Sequence, residues 1–410
     1  MKTKIGSSVG SGQHLLNKRR LVAYWIPVFA VLILSLVIAE TAIAKAAYTI
    51  RIDRHGGDCT KIGMWDYLAR KCTLSGDVII AGDGTRIDKG IEIAADNITL
   101  QGNNYLLYGS WPPVKYGIYL AGRTGVIIAG LNFYSFRTAI FIGGSFPSSS
   151  RNFIIKNTIQ NFFNNGIWVS GKSNEIRENL IDNTPPRIKG VGIEISGEKQ
   201  YVVRNTVKGT YYGIHLSVSH SAIVRNNTVE RNEYALAAFA GDQNRIYNNN
   251  FLSNGNSGII LEHCSLNFGL PYGGNHWSEY DRPEEGCWDW DDDDICDSPF
   301  VINGSLNVKD NFPWVLKDGW KNDVNQSLTY LEDYVVHLRM EEEIENSILL
   351  KLYHAERVLE QGNYEQAIDH LESLVFQTES LEGKELYEIQ AKEIIQLLQY
   401  TVDVLNKIDW

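Results

Sequence analysis

Methionine is nearly absent from this chain of 410 residues, which holds only Met1, Met64 and Met340. A methionine-rich soft site of the kind that binds Cu(I) is thereby excluded, and copper is not an expected cofactor. Positive charge is also short: 38 lysines and arginines face 49 aspartates and glutamates, a formal net charge of −11. A polyanion such as nucleic acid is a poor partner for such a chain. Between Tyr48 and Leu261 long segments of 3.6-residue period are missing, which argues against a helix-rich α/β fold there. A long apolar run occurs once. Residues 1–20 carry Lys2, Lys4, Lys18, Arg19 and Arg20 and no acid, Leu21 to Ala39 is uncharged and mostly apolar, and Ala42-Ile43-Ala44 has the small residues of a cleavage site. Residues 1–46 therefore read as an export signal. The run approaches the length of a membrane span, so a retained anchor on a membrane is the alternative. Either way the expected location is secreted or at the cell surface.

What is present is a repeat. Asn157, Asn179, Asn205, Asn227 and Asn249 are separated by 22, 26, 22 and 22 residues, and each is followed two positions later by Ile, Ile, Val, Val or Phe. About ten residues on comes a small residue and an apolar alternation: Gly166-Ile-Trp-Val, Gly192-Ile-Glu-Ile, Gly213-Ile-His-Leu, Ala235-Leu-Ala-Ala and Gly258-Ile-Ile-Leu. Weaker copies begin at Gly90, Gly117 and Ala139. Alternation at period two gives each short run one buried face, which one unit cannot bury alone, so units must stack. The predicted fold is mainly β: a right-handed single-stranded parallel β-helix over residues 47–316, the hand following from the preference of parallel crossovers. Its coils lie about 4.8 Å apart. An asparagine at each corner can turn inward and pass its amide to the next coil, because it carries both donor and acceptor.

Composition changes near Asp323. From Ser327 to Ile408 the chain has two glycines and no proline, and Ile348, Leu349, Leu352, Ala355 and Leu359 follow helical spacing. Residues 317–326 are expected to link the solenoid to a bundle of about four helices over 327–410.

Five cysteines suit an exported protein. Cys59 and Cys72 could close one loop and Cys287 and Cys296 another, leaving Cys264; the pairing is open at this stage. Within Cys287-Trp-Asp-Trp-Asp-Asp-Asp-Asp-Ile-Cys296-Asp297, the acids Asp289, Asp291, Asp293 and Asp297 fall at positions one, three, five and nine of a calcium loop, with the Ile295 carbonyl at seven. Structural calcium is the expected cofactor, although Asp294 stands where such loops carry glycine. His263, Cys264 and His276 could form a small metal cluster, but neighbouring strand residues point to opposite faces.

The asparagine-bearing coils, Gly273-Gly-Asn-His-Trp-Ser-Glu-Tyr280, Asp297-Ser-Pro-Phe300 and Asn307-Val-Lys-Asp-Asn-Phe-Pro313 together resemble the NosD-type right-handed β-helix proteins, over roughly residues 50 to 316. The C-terminal helices resemble a FIMAH-type bundle. The first resemblance implies an exported repeat protein related to a periplasmic factor of copper-enzyme maturation, with many relatives that bind or process carbohydrate.

Catalysis on a glycan would need converging acids or an acid with a base. Glu194 and His215 are the candidates. Glu198, Asp242, His220, Lys199, Arg204 and Arg225 are available in type only, and Arg187-Ile188-Lys189 is an isolated tripeptide. Binding asks for less. Tyr119, Trp168 and Tyr234, with Glu194 and His215, are expected on an exposed or partly exposed sheet face suited to sugar rings. The expected role is non-catalytic binding of glycan or surface-layer components, with a polysaccharide lyase, hydrolase or epimerase as the alternative and a structural spacer or copper-enzyme maturation factor as the third. Trp277, Trp288, Trp290 and Trp314 are expected to pack the acidic loop onto the last coil.

Overall fold

The computed structural model describes residues 45–80, 87–110, 113–144, 148–184, 190–260, 264–268, 273–302, 308–322, 324–338 and 340–406. The expected signal or anchor thus lies outside the described residues apart from its last two positions. Among the described residues no helix is long and apolar enough to cross a membrane.

From Lys45 to Trp277 the chain is a parallel β-solenoid with three sheets. The first sheet holds the longest strands, among them Val114–Ala121, Phe136–Gly143, Asn165–Lys172, Val191–Glu198, Tyr212–His220 and Tyr234–Ala238. The second opens with the antiparallel pair Gly63–Asp66 and Lys71–Leu74, then continues in parallel through Glu175–Arg177, Tyr201–Val203 and Ile223–Arg225. The third runs through short strands such as Thr158–Gln160 and Thr206–Lys208 to His276–Trp277. Register is kept from coil to coil. Ile118, Ile140, Ile167, Ile193, Ile214 and Leu236 form one inward column of the first sheet, fully buried. At roughly 25 cal/mol per Å², such columns supply most of the driving force that no isolated unit has.

The asparagines form a continuous ladder. Asn157 Nδ2 donates to Asn179 Oδ1 (3.0 Å), and the same bond joins Asn179 to Asn205, Asn205 to Asn227, Asn227 to Asn249 and Asn249 to Asn275. Each acceptor oxygen also takes the backbone N–H of the preceding asparagine, and each Nδ2 donates to a carbonyl such as Ile128 O or Ile154 O. Amide capacity is fully used, as buried polar groups require. The residue before each ladder asparagine is left-handed: Lys156, Glu178, Arg204, Asn226 and Asn248 all have φ near +54°. That one residue turns the strand direction and aims the next side chain inward. The other two corners repeat the device with more varied residues, through Asn152–Asn174–Gln200 and through Thr210–Asn232–Asn254.

At its far end the ladder meets Asp310, whose Oδ2 accepts from Asn275 N, Asn275 Nδ2 and Trp277 Nε1. Each ladder asparagine aims its backbone N–H and one side-chain N–H this way, so the column ends on an anion. Trp277 stacks on Phe251 (4.2 Å) and against Phe300 (4.7 Å), which closes the apolar end of the stack.

Four helices follow: α1 (Val324–Leu338), α2 (Glu342–Glu360), α3 (Tyr364–Leu381) and α4 (Glu388–Leu405). The first begins three residues ahead of the expected boundary. Segment 317–326 is no open linker, since it carries a short 3₁₀ turn, Gly319–Asn322, with Trp320 buried beside Trp314 and Tyr247. The bundle packs on the outer face of the second sheet, where Tyr201 and Val203 share a core with Tyr334, Leu331 and Leu398. Charges are buried there too. Glu393 pairs with Arg177 and Arg204, and Asp333 binds Arg245 and the Tyr247 hydroxyl. Arg204 and Arg225, available to chemistry in type only, serve the helical interface or its rim and take no part on the first sheet.

Candidate functional site

The bundle covers the second sheet, so attention falls on the outer face of the first. Its outward positions form two columns. One runs Glu92, Tyr119, Phe141, Trp168, Glu194, His215, Ala237, and the other Lys89, Tyr116, Thr138, Asn165, Val191, Tyr212, Tyr234. Tyr119 and Trp168, expected to be exposed or partly exposed on a sheet face, lie half-buried on the outer face of the first sheet, with their rings standing one above another. Tyr119 and Phe141 are parallel with centroids 5.1 Å apart, Phe141 meets Trp168 at 4.4 Å, and the Lys89 ammonium caps the Tyr119 ring at 4.0 Å. The ring faces are largely occupied by one another and by a cation, a self-satisfied arrangement. Tyr234 is likewise turned edge-on to Tyr211.

The aromatic run of the first column stops at the coil of residues 191–198, where Glu194 takes the place of a ring. On the next coil stand Tyr212 and His215, with Phe239 edge-on to the imidazole at 4.5 Å. Glu194 thus lies between Trp168 on one side and His215 on the other. Asn165 Nδ2 donates to its Oε2 (2.6 Å), and His215 Nδ1 approaches its Oε1 at 3.8 Å. His215 was expected to be exposed or partly exposed, but is only 7 % exposed, because Phe239 and Tyr212 cover it. Both its ring nitrogens are buried without a hydrogen-bond partner. Burial lowers its pKa to about 4, so the imidazole is neutral at pH 7 and the contact with Glu194 is no ion pair. Burial also raises the Glu194 pKa, against the opposing hydrogen bond from Asn165. An acid and a base, both pushed towards their neutral forms, lie side by side in an aromatic surround, which is an arrangement typical of functional sites. Chemically they offer one carboxyl and one imidazole to a polar ligand, and two orphaned ring nitrogens, each costing about 1–3 kcal/mol until satisfied.

Asn165, Tyr212 and Phe239 were not foreseen. Asn165 and Tyr212 each precede the Gly-Ile of a repeat unit, and Glu194 and His215 each follow it, so aligning the units would have placed all four on one patch. The remaining candidates are dispersed. His220 and Asp242 pair with each other at the end of the first sheet, and Glu198 pairs with Lys172. Residues 187–189 and His263 lie outside the described residues, and His276 Nδ1 approaches the Trp314 carbonyl at 3.2 Å.

Both disulfides join near pairs: Cys59–Cys72 in the first coil and Cys287–Cys296 around the acidic loop, with Cys264 outside them. Oxygens of Asp289, Asp291 and Asp297 lie within 4.8 Å of one another; Asp293 does not join them and accepts from Ile295 N instead. Trp277 and Trp314 are buried as expected of a cap, whereas Trp288 and Trp290 are not. The two indoles stack on each other at the loop's surface.

Stacked coils, three sheets and asparagine corners define a parallel β-solenoid repeat protein with a polar break in its outer aromatic column. The chain matches the family model described as periplasmic copper-binding protein (NosD) over residues 72–282, just over half its length, and belongs to that family. No curated protein matches it. Among solved structures it is similar to XylC in complex with xylose (14 % identity, TM-score 0.27, covering 49 % of this chain and 40 % of that one). It is similar also to an alginate lyase from Paenibacillus sp. str. FPU-7 (14 %, 0.26, 44 % and 87 %) and to the catalytic domain of a GH87 alpha-1,3-glucanase in complex with nigerose (15 %, 0.28, 58 % and 54 %). The chain spans about two fifths of the XylC chain it matches. The family description implies copper, but the described residues do not fit it. Their one cluster of metal-ligating types is three carboxylates, a hard oxygen set suited to calcium or magnesium.

Proposed function

We propose that this protein binds a glycan, without cleaving it, at the break in the first sheet's aromatic column. The observation that carries the reading is the buried, unpartnered imidazole of His215 beside Glu194, with Trp168 on the preceding coil. A sugar hydroxyl at Glu194, with the Phe239 ring displaced, would give the His215 imidazole the partner that the fold leaves it without, and Trp168 offers an apolar flank to the ring. Hydrolysis is disfavoured because it needs two facing carboxyls, and between Tyr119 and Ala237 the two outward columns hold Glu194 alone. The second reading is a lyase, favoured by the acid–base pairing itself. Affinity electrophoresis of the purified chain through gels containing a panel of polysaccharides separates these readings. Retardation that Trp168→Ala or Glu194→Gln weakens about tenfold, roughly 1.4 kcal/mol, with no unsaturated product, supports binding. Unsaturated ends that vanish with Glu194→Gln or His215→Ala would establish the lyase. Wild-type mobility unchanged in every gel would leave only a spacer. The three converging aspartates, Asp289, Asp291 and Asp297, are assigned to a structural calcium ion that ties the end loop.

A further inference from the structure

Trp290 is 76 % exposed and Trp288 44 % exposed at the tip of the disulfide-closed loop that follows the last coil. Their rings are nearly parallel, 8° apart, with centroids at 5.1 Å. Trp277 and Trp314, by contrast, are buried and bonded: Trp277 Nε1 donates to Asp310, and Trp314 Nε1 donates to Asn248 Oδ1. A surface tryptophan pair is costly to hold in water, since each ring exposes apolar area that burial would stabilise at about 25 cal/mol per Å².

The loop holds the pair in place from its backbone. Trp290 N donates to Asp297 Oδ2 (2.6 Å), and Asp297 N donates to the Trp288 carbonyl (2.7 Å). The disulfide between Cys287 and Cys296 then fixes the loop's ends. The rings are thus presented on a braced frame, which lowers the ordering cost of binding.

We propose that Trp288 and Trp290 form a second glycan-binding platform, at the C-terminal end of the solenoid, which takes neutral pyranose rings. One indole face remains open on the outer side of the pair, and the C–H face of a pyranose covers such a surface. The surrounding charge narrows the ligand. Between Asp281 and Asp297 stand nine acids and one cation, Arg282, so uronate or sulfated sugars and anionic lipid surfaces are repelled. A basic partner is less well served than the net charge suggests. Asp289 and Asp293 accept from N–H groups of the loop itself, and Asp297 from Trp290 N, so part of the acceptor capacity of these carboxylates is committed to the backbone. This platform rests on observations separate from the Glu194 site.

The test is affinity electrophoresis of the purified chain at fixed calcium, through gels of hydroxyethylcellulose, xyloglucan or glucomannan and through polygalacturonate as the acidic control. Trp290 is mostly exposed, so Trp290→Ala is expected to fold, and unchanged circular dichroism checks it. The expected result is retardation on at least one neutral gel, weakened at least tenfold by Trp290→Ala, restored in part by Trp290→Phe and retained in Trp168→Ala. No wild-type retardation on the three neutral gels overturns the proposal, as does equal retardation of the wild type and Trp290→Ala. Retention on polylysine beads that Trp290→Ala abolishes, without retardation by sugar, also overturns it, in favour of a basic partner. If Trp168→Ala abolishes all binding while Trp290→Ala does nothing, the platform fails and the Glu194 site stands.

Discussion

Asp310 is the residue whose removal should reveal how the solenoid is ended. It lies about 60 residues beyond Asn249, yet its carboxylate receives the whole polarised amide column. Burial raises its pKa from 3.8 to about 6, against the opposing bonds from Trp277 and Asn275. A folded-state value above the unfolded one means that the native state binds the proton more tightly. The associated stabilisation is complete below about pH 3.8 and is lost as pH rises through about 6. Worked from those two values, the wild type should lose about 1.4 kcal/mol between pH 5 and pH 7.5 through this group alone. Asp310→Asn removes the titration and keeps an acceptor, so its stability should lack that step. Asp310→Ala keeps nothing. It leaves Asn275 N, one N–H of Asn275 Nδ2 and Trp277 Nε1 buried without a partner, at about 1–3 kcal/mol each. Relief of the buried charge offsets part of this at neutral pH. The alanine variant should therefore be less stable than the wild type at both pH values, and by more at pH 5. Urea unfolding of the three proteins at the two pH values measures this. An unchanged pH step in Asp310→Asn, or a cost below about 1 kcal/mol for Asp310→Ala at pH 5, would refute the reasoning.

Glu393→Ala should destabilise the chain by about 3–5 kcal/mol, because it breaks the buried pairs with Arg177 and Arg204 together, and urea unfolding should show it. Glu194→Gln should be at least as stable as the wild type at pH 7.5, since it removes an acid whose ionised form burial disfavours. That advantage should shrink as pH falls and wild-type Glu194 is protonated, which melting curves at pH 7.5 and pH 4 can check. The calcium assignment predicts a melting temperature that rises with added calcium, falls with chelator, and ceases to respond in Asp289→Ala/Asp297→Ala.

The solenoid was legible because one corner keeps the same residue. A ladder asparagine must both give and receive, which few side chains can do, so identity survives at residues 157 to 249. The other two corners obey the same left-handed rule, yet accept Gln200, Ala222, Phe162 or Thr210 at the ladder position. Their ladders are interrupted, and the period is hidden. The shared face of Glu194 and His215 was legible from alternation, but their direct contact across one coil and 21 residues was not. Alternation also says nothing of what covers an outward position. His215 faces outward and is still buried, because Phe239 folds back over it. The docking of the helices was hidden for a related reason. Nothing in the sequence near Glu175, Arg177 and Arg204 names their distant partners, Glu393 on α4 and the Tyr334 hydroxyl on α1.

These observations explain why function should gather at a flaw in the repeat. A stacked column of rings is stable because each member covers the next, and for the same reason it has little to offer a ligand. Binding needs a coil where the pattern fails, leaving one side chain without its neighbour. Glu194 creates that failure between Trp168 and His215, and a lone carboxyl in a column of rings weakens the stack that surrounds it. The end loop makes a second exception, where the stack has run out of coils and two indoles have only each other. A repeat protein of this kind can thus carry ligand sites without altering its scaffold. The inward columns and the ladder hold the coils in register, so an outward residue can change at little cost to the fold.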